Sequence, residues 1–332
     1  LQAQEVFALS VLAEFASAAW GDAVGGGGGR ESEACVGSTL EAAEIKAALA
    51  VNGPTSHRVR RIAEAYGAEV FEAEVGEANV VNRAAELREL GYRVRLLGEG
   101  SNGGTITHPA AVRDPLNTIT ALLKLLRLPG PFEDWCRRIG RPELFRSDFG
   151  PADILATLPV YSATPASAPR ALMAIRSTDQ GALKAAWEEV FAQEWNTWSA
   201  DLRRVYGFAG WYELNNEGTT SRKGVGPGMR SGRQSGGLKV IFTDSAGDDV
   251  GFLWMRGSGT EPVFRVMAEI RGDRSEAEAA LVEWHRGMVA EADRRVADGR
   301  GEPGEPGKRS AGADRADRAV EEKRIPSPIA EI

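Results

Sequence analysis

The chain has 332 residues, of which 42% are hydrophobic and 26% charged, and a formal net charge of −7. That length leaves room for two or three domains with cores of their own, and the acidic balance gives no general attraction to nucleic acid or to acidic membrane surfaces. Cys35 and Cys136 are the only cysteines, which excludes a disulfide framework and a zinc cluster.

Residues 1–20 predict a helix with Phe7, Val11, Phe15 and Ala18 on one stripe. The apolar run within it is broken by Glu14, is too short to span a bilayer and follows no basic segment, so neither a membrane span nor a signal peptide is expected. Gly25 to Gly29 form a flexible run without a motif. From Ile45 a βαβαβα rhythm sets in: a strand at 45–51, a helix at 56–66 with Val59, Ile62, Ala63 and Tyr66 inward, a strand at 68–75 and a helix at 77–90. A strand at 92–97 follows, then a helix from about Pro115 with Leu116, Ile119, Leu123 and Leu126 inward. Such alternation argues for a mainly parallel α/β sheet. Thr55 or Ser56, between strand and helix, reads as an N-cap.

Residues 128–180 are rich in proline, arginine and small polar residues, with short helical pieces. A long helix is predicted over 181–205, where Trp187, Phe191, Trp195 and Trp198 fall on one helical stripe and read as packing. The basic, glycine-rich stretch 222–237 reads as an unstructured surface loop. Strands are expected at 238–243, 250–256 and 263–270, with Asp244 to Asp249 as a hairpin turn. Ser275-Glu276-Ala277-Glu278 has the form of a capping box opening the last helix, on which His285 is a packing residue. Disorder is expected over 299–324, where Gly, Pro, Arg, Asp and Glu dominate.

Two loops carry the chemistry. In Trp254-Met255-Arg256-Gly257-Ser258-Gly259-Thr260-Glu261-Pro262-Val263-Phe264-Arg265, two glycines let backbone N–H groups converge on one concavity. Ser258 and Thr260 add hydroxyls, and Arg256 and Arg265 add planar forks suited to two anionic oxygens at once. The combination describes a seat for a dianion such as a phosphate monoester. No Lys-Ser or Lys-Thr follows at P-loop spacing, so it is not a nucleotide loop. The second loop, Gly98-Glu99-Gly100-Ser101-Asn102-Gly103-Gly104, offers a carboxylate, a hydroxyl and an amide at the end of a strand. Those groups suit the vicinal hydroxyls of a sugar.

Together the loops resemble the α-D-phosphohexomutase family, the phosphoglucomutases and phosphomannomutases. Gly98-Glu99-Gly100-Ser101 matches the family's G-E-x-S-G sugar loop, with Asn102 in place of the final Gly, and Arg256 through Pro262 match its R-x-S-G-T-E-P phosphate loop at every specified position. The resemblance covers roughly residues 1–127 and 236–297. It implies that Glu99, Ser101 and Asn102 bind sugar hydroxyls, and that Arg256, Ser258, Gly259 and Thr260, helped by Arg265, hold the phosphate that is not being transferred. It also implies a phosphoserine in a T-A-S-H-N-P loop and Mg²⁺ in a D-G-D-x-D-R loop, as phosphoryl transfer requires charge neutralisation. Neither loop occurs in the chain: Gly53-Pro54-Thr55-Ser56-His57 lacks the Asn-Pro, and Asp244-Ser245-Ala246-Gly247-Asp248-Asp249 lacks both the alternation and the arginine.

The expectation is therefore the C-terminal half of a mutase without catalytic or metal-ligating residues, inactive alone, whose partners are a hexose phosphate and the missing N-terminal domains. Its expected location is cytoplasmic. The expected fold is a mainly parallel α/β domain at 1–129, a proline-rich and helical connection at 130–206, an α+β domain with an antiparallel sheet at 207–297 and a tail at 298–332. The competing class is a non-catalytic phosphosugar-binding or regulatory module.

Overall fold

A computed structural model describes residues 1–25, 46–257, 263–299 and 325–329. The expectations for 26–45, for the phosphate loop at 258–262 and for the tail at 300–324 lie outside the described residues.

The first domain is built on a four-stranded sheet. It opens with helix α1 (Ala3–Gly25), then β1 (Ala48–Asn52), α2 (Arg58–Ala65), β2 (Glu69–Ala73), α3 (Glu77–Glu89), β3 (Leu96–Glu99), β4 (Gly104–Thr107) and α4 (Pro115–Arg127). The strand order is β2-β1-β3-β4; β1 runs parallel to β2 and β3, and β4 returns antiparallel to β3. Alternate residues of β1 face opposite ways, as strand geometry demands. Leu49 and Val51 join the core formed with α1, α2 and α4, while Ala48 and Ala50 pack with Val80, Ala84 and Leu87 of α3. The result is three layers, helix–sheet–helix. Glu14, the break in the apolar run, is buried and pairs with Lys124 at 2.6 Å and Arg95 at 3.4 Å.

The segment expected as a connection starts with α5 (Pro129–Arg138) and α6 (Pro151–Thr157), whose Phe132, Trp135 and Ile154 lie in the core of the first domain. Strands β5 (Tyr161–Ala163) and β6 (Leu172–Met173) already belong to a second sheet, and α7 (Gln180–Tyr206) packs on that sheet. The sheet continues with β7 (Gly210–Glu217), β8 (Thr220–Lys223), β9 (Gly237–Thr243), β10 (Asp249–Gly257) and β11 (Phe264–Arg271), and α8 (Ser275–Ala297) follows. Its path is β5-β11-β10-β9-β7-β8, with β6 also on β11, and its pairings are antiparallel. One face meets α7 and α8 through Leu253, Met255, Val266 and Trp187. The other face, with Ile241, Phe252, Trp254 and Met267, packs towards Val75 and Ala166.

The two sheets are joined by buried polar contacts. Lys239 donates to Glu72 at 2.8 Å with both side chains sequestered, and Arg60 approaches the same carboxylate at 3.5 Å. Burial pushes the Glu72 carboxyl up, but Lys239 and Arg60 outweigh it and leave the group below the usual carboxylate range. The backbone N–H of His57 and its Nδ1 both reach Glu269 Oε1, at 3.0 and 3.1 Å.

Four local expectations are corrected. On α4, Leu116, Ile119 and Leu123 are 71%, 53% and 49% exposed, whereas Ala121 and Leu125 are buried, with Leu122 and Leu126 half-buried beside them. Apolar residues occupy two faces of that helix, and packing against α1 and α5 selected the other one. The strand expected at 92–97 forms at 96–99, so Gly98 and Glu99 are strand residues. A Cβ at Gly98 would lie 2.0 Å from the Gly104 carbonyl oxygen, so the β3–β4 hairpin closes only over glycine. The 222–237 stretch is not an unstructured loop: Arg230 is buried against Glu188 and Glu213, and Lys184 donates to the Gln234 and Gly236 carbonyls at 2.5 and 2.6 Å. The capping box does not form, because Glu278 turns inward to Thr164 and Arg170.

Candidate functional site

A cavity of about 420 Å³ opens between the two sheets, and residues of both motif loops line it: Glu99, Ser101 and Asn102 on one side, Arg256, Gly257 and Arg265 on the other. Ser258, Gly259 and Thr260 lie outside the described residues, but Gly257 and Arg265, which flank them, face the same space as Ser101. Trp254 and Met267 come from the face of the second sheet that is turned to the first domain.

The Glu99 wall is held by an internal hydrogen-bond network. Glu99 is only 2% exposed. Its Oε1 accepts from the Gly76 backbone N–H at 2.7 Å and from Asn52 Nδ2 at 3.2 Å, and its Oε2 accepts from Arg113 Nη2 at 2.7 Å. Asn52 Nδ2 also donates to Ser101 Oγ at 3.1 Å, and Thr55 ties Asn52 Oδ1 to the Gly100 N–H. Thr55 thus supports the loop rather than the helix, and Ser56, whose Oγ accepts from Arg58 N at 3.2 Å, is not the N-cap either, because that position falls on His57. A carboxylate offers about four lone-pair sites, so Glu99 keeps acceptor capacity beyond these partners. Asn102 is exposed at the rim.

The Arg256 wall is held differently. Arg256 places Nε and Nη2 on Glu74 Oε1 at 3.0 and 2.8 Å, a contact between the two domains. Arg265 donates from Nη1 to the Ala166 carbonyl at 2.9 Å. Behind them lies Lys184, whose ammonium is pushed down to about 8 chiefly by burial and then by Arg230. His285 under β10 is fully buried; burial drives its pKa down to about 3, so the neutral ring packs against Trp187 and contacts the Trp254 carbonyl.

Sequence reasoning missed Asn52, Glu74, Gly76, Arg113 and Trp254. The first four lie in elements whose local pattern carries no chemistry, and only pairing across 14 to 182 positions brings them to the site, whereas Trp254 stands two residues before Arg256 on the same strand. Trp254 is nearly buried, and its indole N–H has no partner among the described residues.

The resemblance implies Mg²⁺, and the described residues do not fit that ion. Among them no group of three or more His, Cys, Asp or Glu side chains could hold a metal. Asp244 accepts from the Ala246 and Asp248 N–H groups and pairs with Arg271, and Asp249 accepts from Tyr212. That stretch is a hairpin turn between β9 and β10.

Comparison with known proteins gives a family match for part of the chain. Residues 34–139 match the family described as phosphoglucomutase/phosphomannomutase, alpha/beta/alpha domain III. That stretch, about a third of the chain, is thus similar to the third domain of the phosphoglucomutases and phosphomannomutases. Among solved structures the chain is similar to the phosphoglucomutase pp63/parafusin of Paramecium in its open form, at 14% identity and a TM-score of 0.45, covering 87% of this chain and 41% of that one. It is also similar to a phosphoglucomutase/phosphomannomutase family protein of Burkholderia thailandensis, at 17% identity and a TM-score of 0.40, covering 83% of this chain and 41% of that one. The chain therefore spans about 41% of the length of either structure. No curated protein matches it. Among the described residues no helix is long and apolar enough to cross a membrane.

Proposed function

We propose that this chain is the substrate-holding half of a phosphohexomutase, an enzyme type that moves a phosphoryl group between C1 and C6 of a hexose. Glu99, Ser101 and Asn102 recognise sugar hydroxyls, and Arg256, Ser258, Gly259, Thr260 and Arg265 hold the phosphate that stays in place. The observation that supports this reading is the single cavity lined by Glu99, Ser101, Arg256 and Arg265. Acceptors on one wall and guanidinium forks on the other suit a molecule that carries hydroxyls at one end and a phosphate at the other.

The chain on its own binds and orients; it does not turn over. The 332 residues contain neither a T-A-S-H-N-P nor a D-G-D-x-D-R loop, so the phosphoryl donor and the metal site of the reaction must come from elsewhere. The hexose phosphate and the remaining domains of a complete mutase are the proposed partners, in a cytoplasmic setting.

Calorimetric titration tests the reading. Inorganic phosphate and glucose 1-phosphate should bind in the roughly millimolar range, a few charge-assisted bonds set against the cost of association. Arg256→Ala should remove most of the affinity for both ligands. Ser101→Ala should weaken glucose 1-phosphate alone. Unchanged binding of both ligands by Arg256→Ala removes the phosphate seat. Turnover of glucose 1-phosphate by the purified chain, with Mg²⁺ and a bisphosphate present, that disappears in Ser56→Ala would overturn the division of labour.

A further inference from the structure

Arg113 belongs to neither motif loop, yet it stands on the cavity wall beside Glu99. It comes from the segment between β4 and α4, and its stem lies over Gly104, where a Cβ would meet Arg113 Cδ and Nε at 2.9 Å. Two carboxylates clamp the guanidinium. Its Nη2 donates to Glu99 Oε2 and its Nε to Glu77 Oε2, each at 2.7 Å, so one bond reaches the end of β3 and the other the first residue of α3. A guanidinium carries five N–H donors in one plane. Nη1 has no acceptor among the described residues, and the side chain is 45% exposed, whereas Glu99 is sequestered. The wall therefore sets an arginine with spare donors next to a carboxylate with a spare lone pair.

From this geometry we infer that Arg113 is a specificity-determining residue of the Glu99 wall: it supplies the donor that complements the Glu99 acceptor, so that the two together read a vicinal pair of sugar hydroxyls. This inference rests on the reading of that wall as a sugar site. A hydroxyl both donates and accepts. Glu99 is an acceptor only, so it can meet the hydrogens of a diol but not its oxygens; Arg113, fixed next to Glu99 Oε2, meets one of them. Two carboxylates on one guanidinium offset its charge, and what the free edge offers is direction rather than net positive charge. That suits a neutral hydroxyl better than an anion. Arg113 differs from the exposed Asn102 in being clamped at two points, which sets the donor in place before a ligand arrives.

Titration with glucose 1-phosphate, 3-deoxyglucose 1-phosphate and inorganic phosphate tests the inference. The 3-hydroxyl belongs to both vicinal pairs that include it, and the two sugars carry the same phosphate. The wild type should bind glucose 1-phosphate about tenfold tighter than the 3-deoxy analogue, the scale of hydrogen bonds to charged groups. Arg113→Met keeps a stem over Gly104 and should cut that preference to about threefold, with inorganic phosphate binding unchanged. The magnetic resonance signal of the Gly76 N–H, which reports Glu99 Oε1, should stay in place. Gly104→Ala is a second route: Gly104 has no positive φ, and the added methyl pushes the guanidinium aside without deleting it, so the preference should fall as well. Full preference retained in both variants would show that Arg113 does not touch the sugar. A preference lost together with a displaced Gly76 signal would show that it only positions Glu99. Either result overturns the inference. The wild type decides the reading beneath it: if it binds both sugar phosphates no tighter than inorganic phosphate, the Glu99 wall is not a sugar site. If it prefers glucose 1-phosphate and Arg113→Met keeps that preference, only the role of Arg113 fails.

Discussion

The two walls of the cavity are built on different principles. Every polar partner of Glu99 and Ser101 comes from between Asn52 and Arg113, inside one domain and around one sheet. Arg256 instead depends on Glu74 from the opposite domain, while Arg265 donates to the Ala166 carbonyl between β5 and β6 of its own sheet. A wall closed within one domain keeps its geometry as long as that domain folds. A wall that borrows its partner across a seam keeps it only while the seam holds. The buried Glu72–Lys239 pair and the His57–Glu269 contact are that seam.

The largest expected effect therefore comes from cutting the seam. Lys239→Met leaves Glu72 buried with the more distant Arg60 and Asn216, and should cost about 3 kcal/mol of unfolding free energy, the usual penalty for a buried pair losing one partner. Urea denaturation measures it, and phosphate affinity should fall with it while the Glu99–Arg113 pair survives. A loss below about 1 kcal/mol would mean that the seam does not hold the second wall.

Acid should act on the Arg256 wall as well. His285 has a folded pKa of about 3 against an ordinary 6.5, so the unfolded chain takes up a proton between those values and the folded one does not. Its contribution is fully present above pH 6.5 and is lost as pH falls towards 3, on the order of a few kcal/mol. His285→Gln, which keeps a donor for the Trp254 carbonyl, should flatten the acid limb of stability against pH. A limb of unchanged slope would assign the acid sensitivity to other groups.

Breaking the Glu99 wall should be milder. Glu99→Ala leaves the Gly76 N–H without its acceptor and Arg113 with Glu77 alone; with Arg113 partly in solvent, a cost of about 2 kcal/mol is expected. Nuclear magnetic resonance shifts should change around Gly76 and Arg113 and stay still at Lys239. Changes that spread across the second sheet would show that the two walls are not independent. The smallest effect belongs to Ser101→Ala, which removes one acceptor from Asn52 and should cost about 0.5–1 kcal/mol by thermal denaturation.

Patterns that a helix or strand expresses within itself were legible from the amino acids alone. The stripe of Trp187, Phe191, Trp195 and Trp198 is inward on α7, the βαβ rhythm produced a mainly parallel sheet, and Asp244 to Asp249 form a turn. Each depends on a period of 2 or 3.6, or on turn chemistry, within a few residues. The motif loops stand out equally by residue type, and the binding roles proposed for them rest on that chemistry. What required tertiary structure is everything that depends on a choice of neighbour. Helix α4 has two apolar faces, and only packing against α1 and α5 decided that Leu125 is buried and Leu123 is not. Arg230 reads as a surface residue of a basic loop until Glu188 and Glu213 meet it. Glu74 carries no signal as the residue next to Arg256, because 182 positions separate the two. Periodicity selects elements; burial and charge pairing between distant elements select partners, and those energies exist only once the chain has closed on itself.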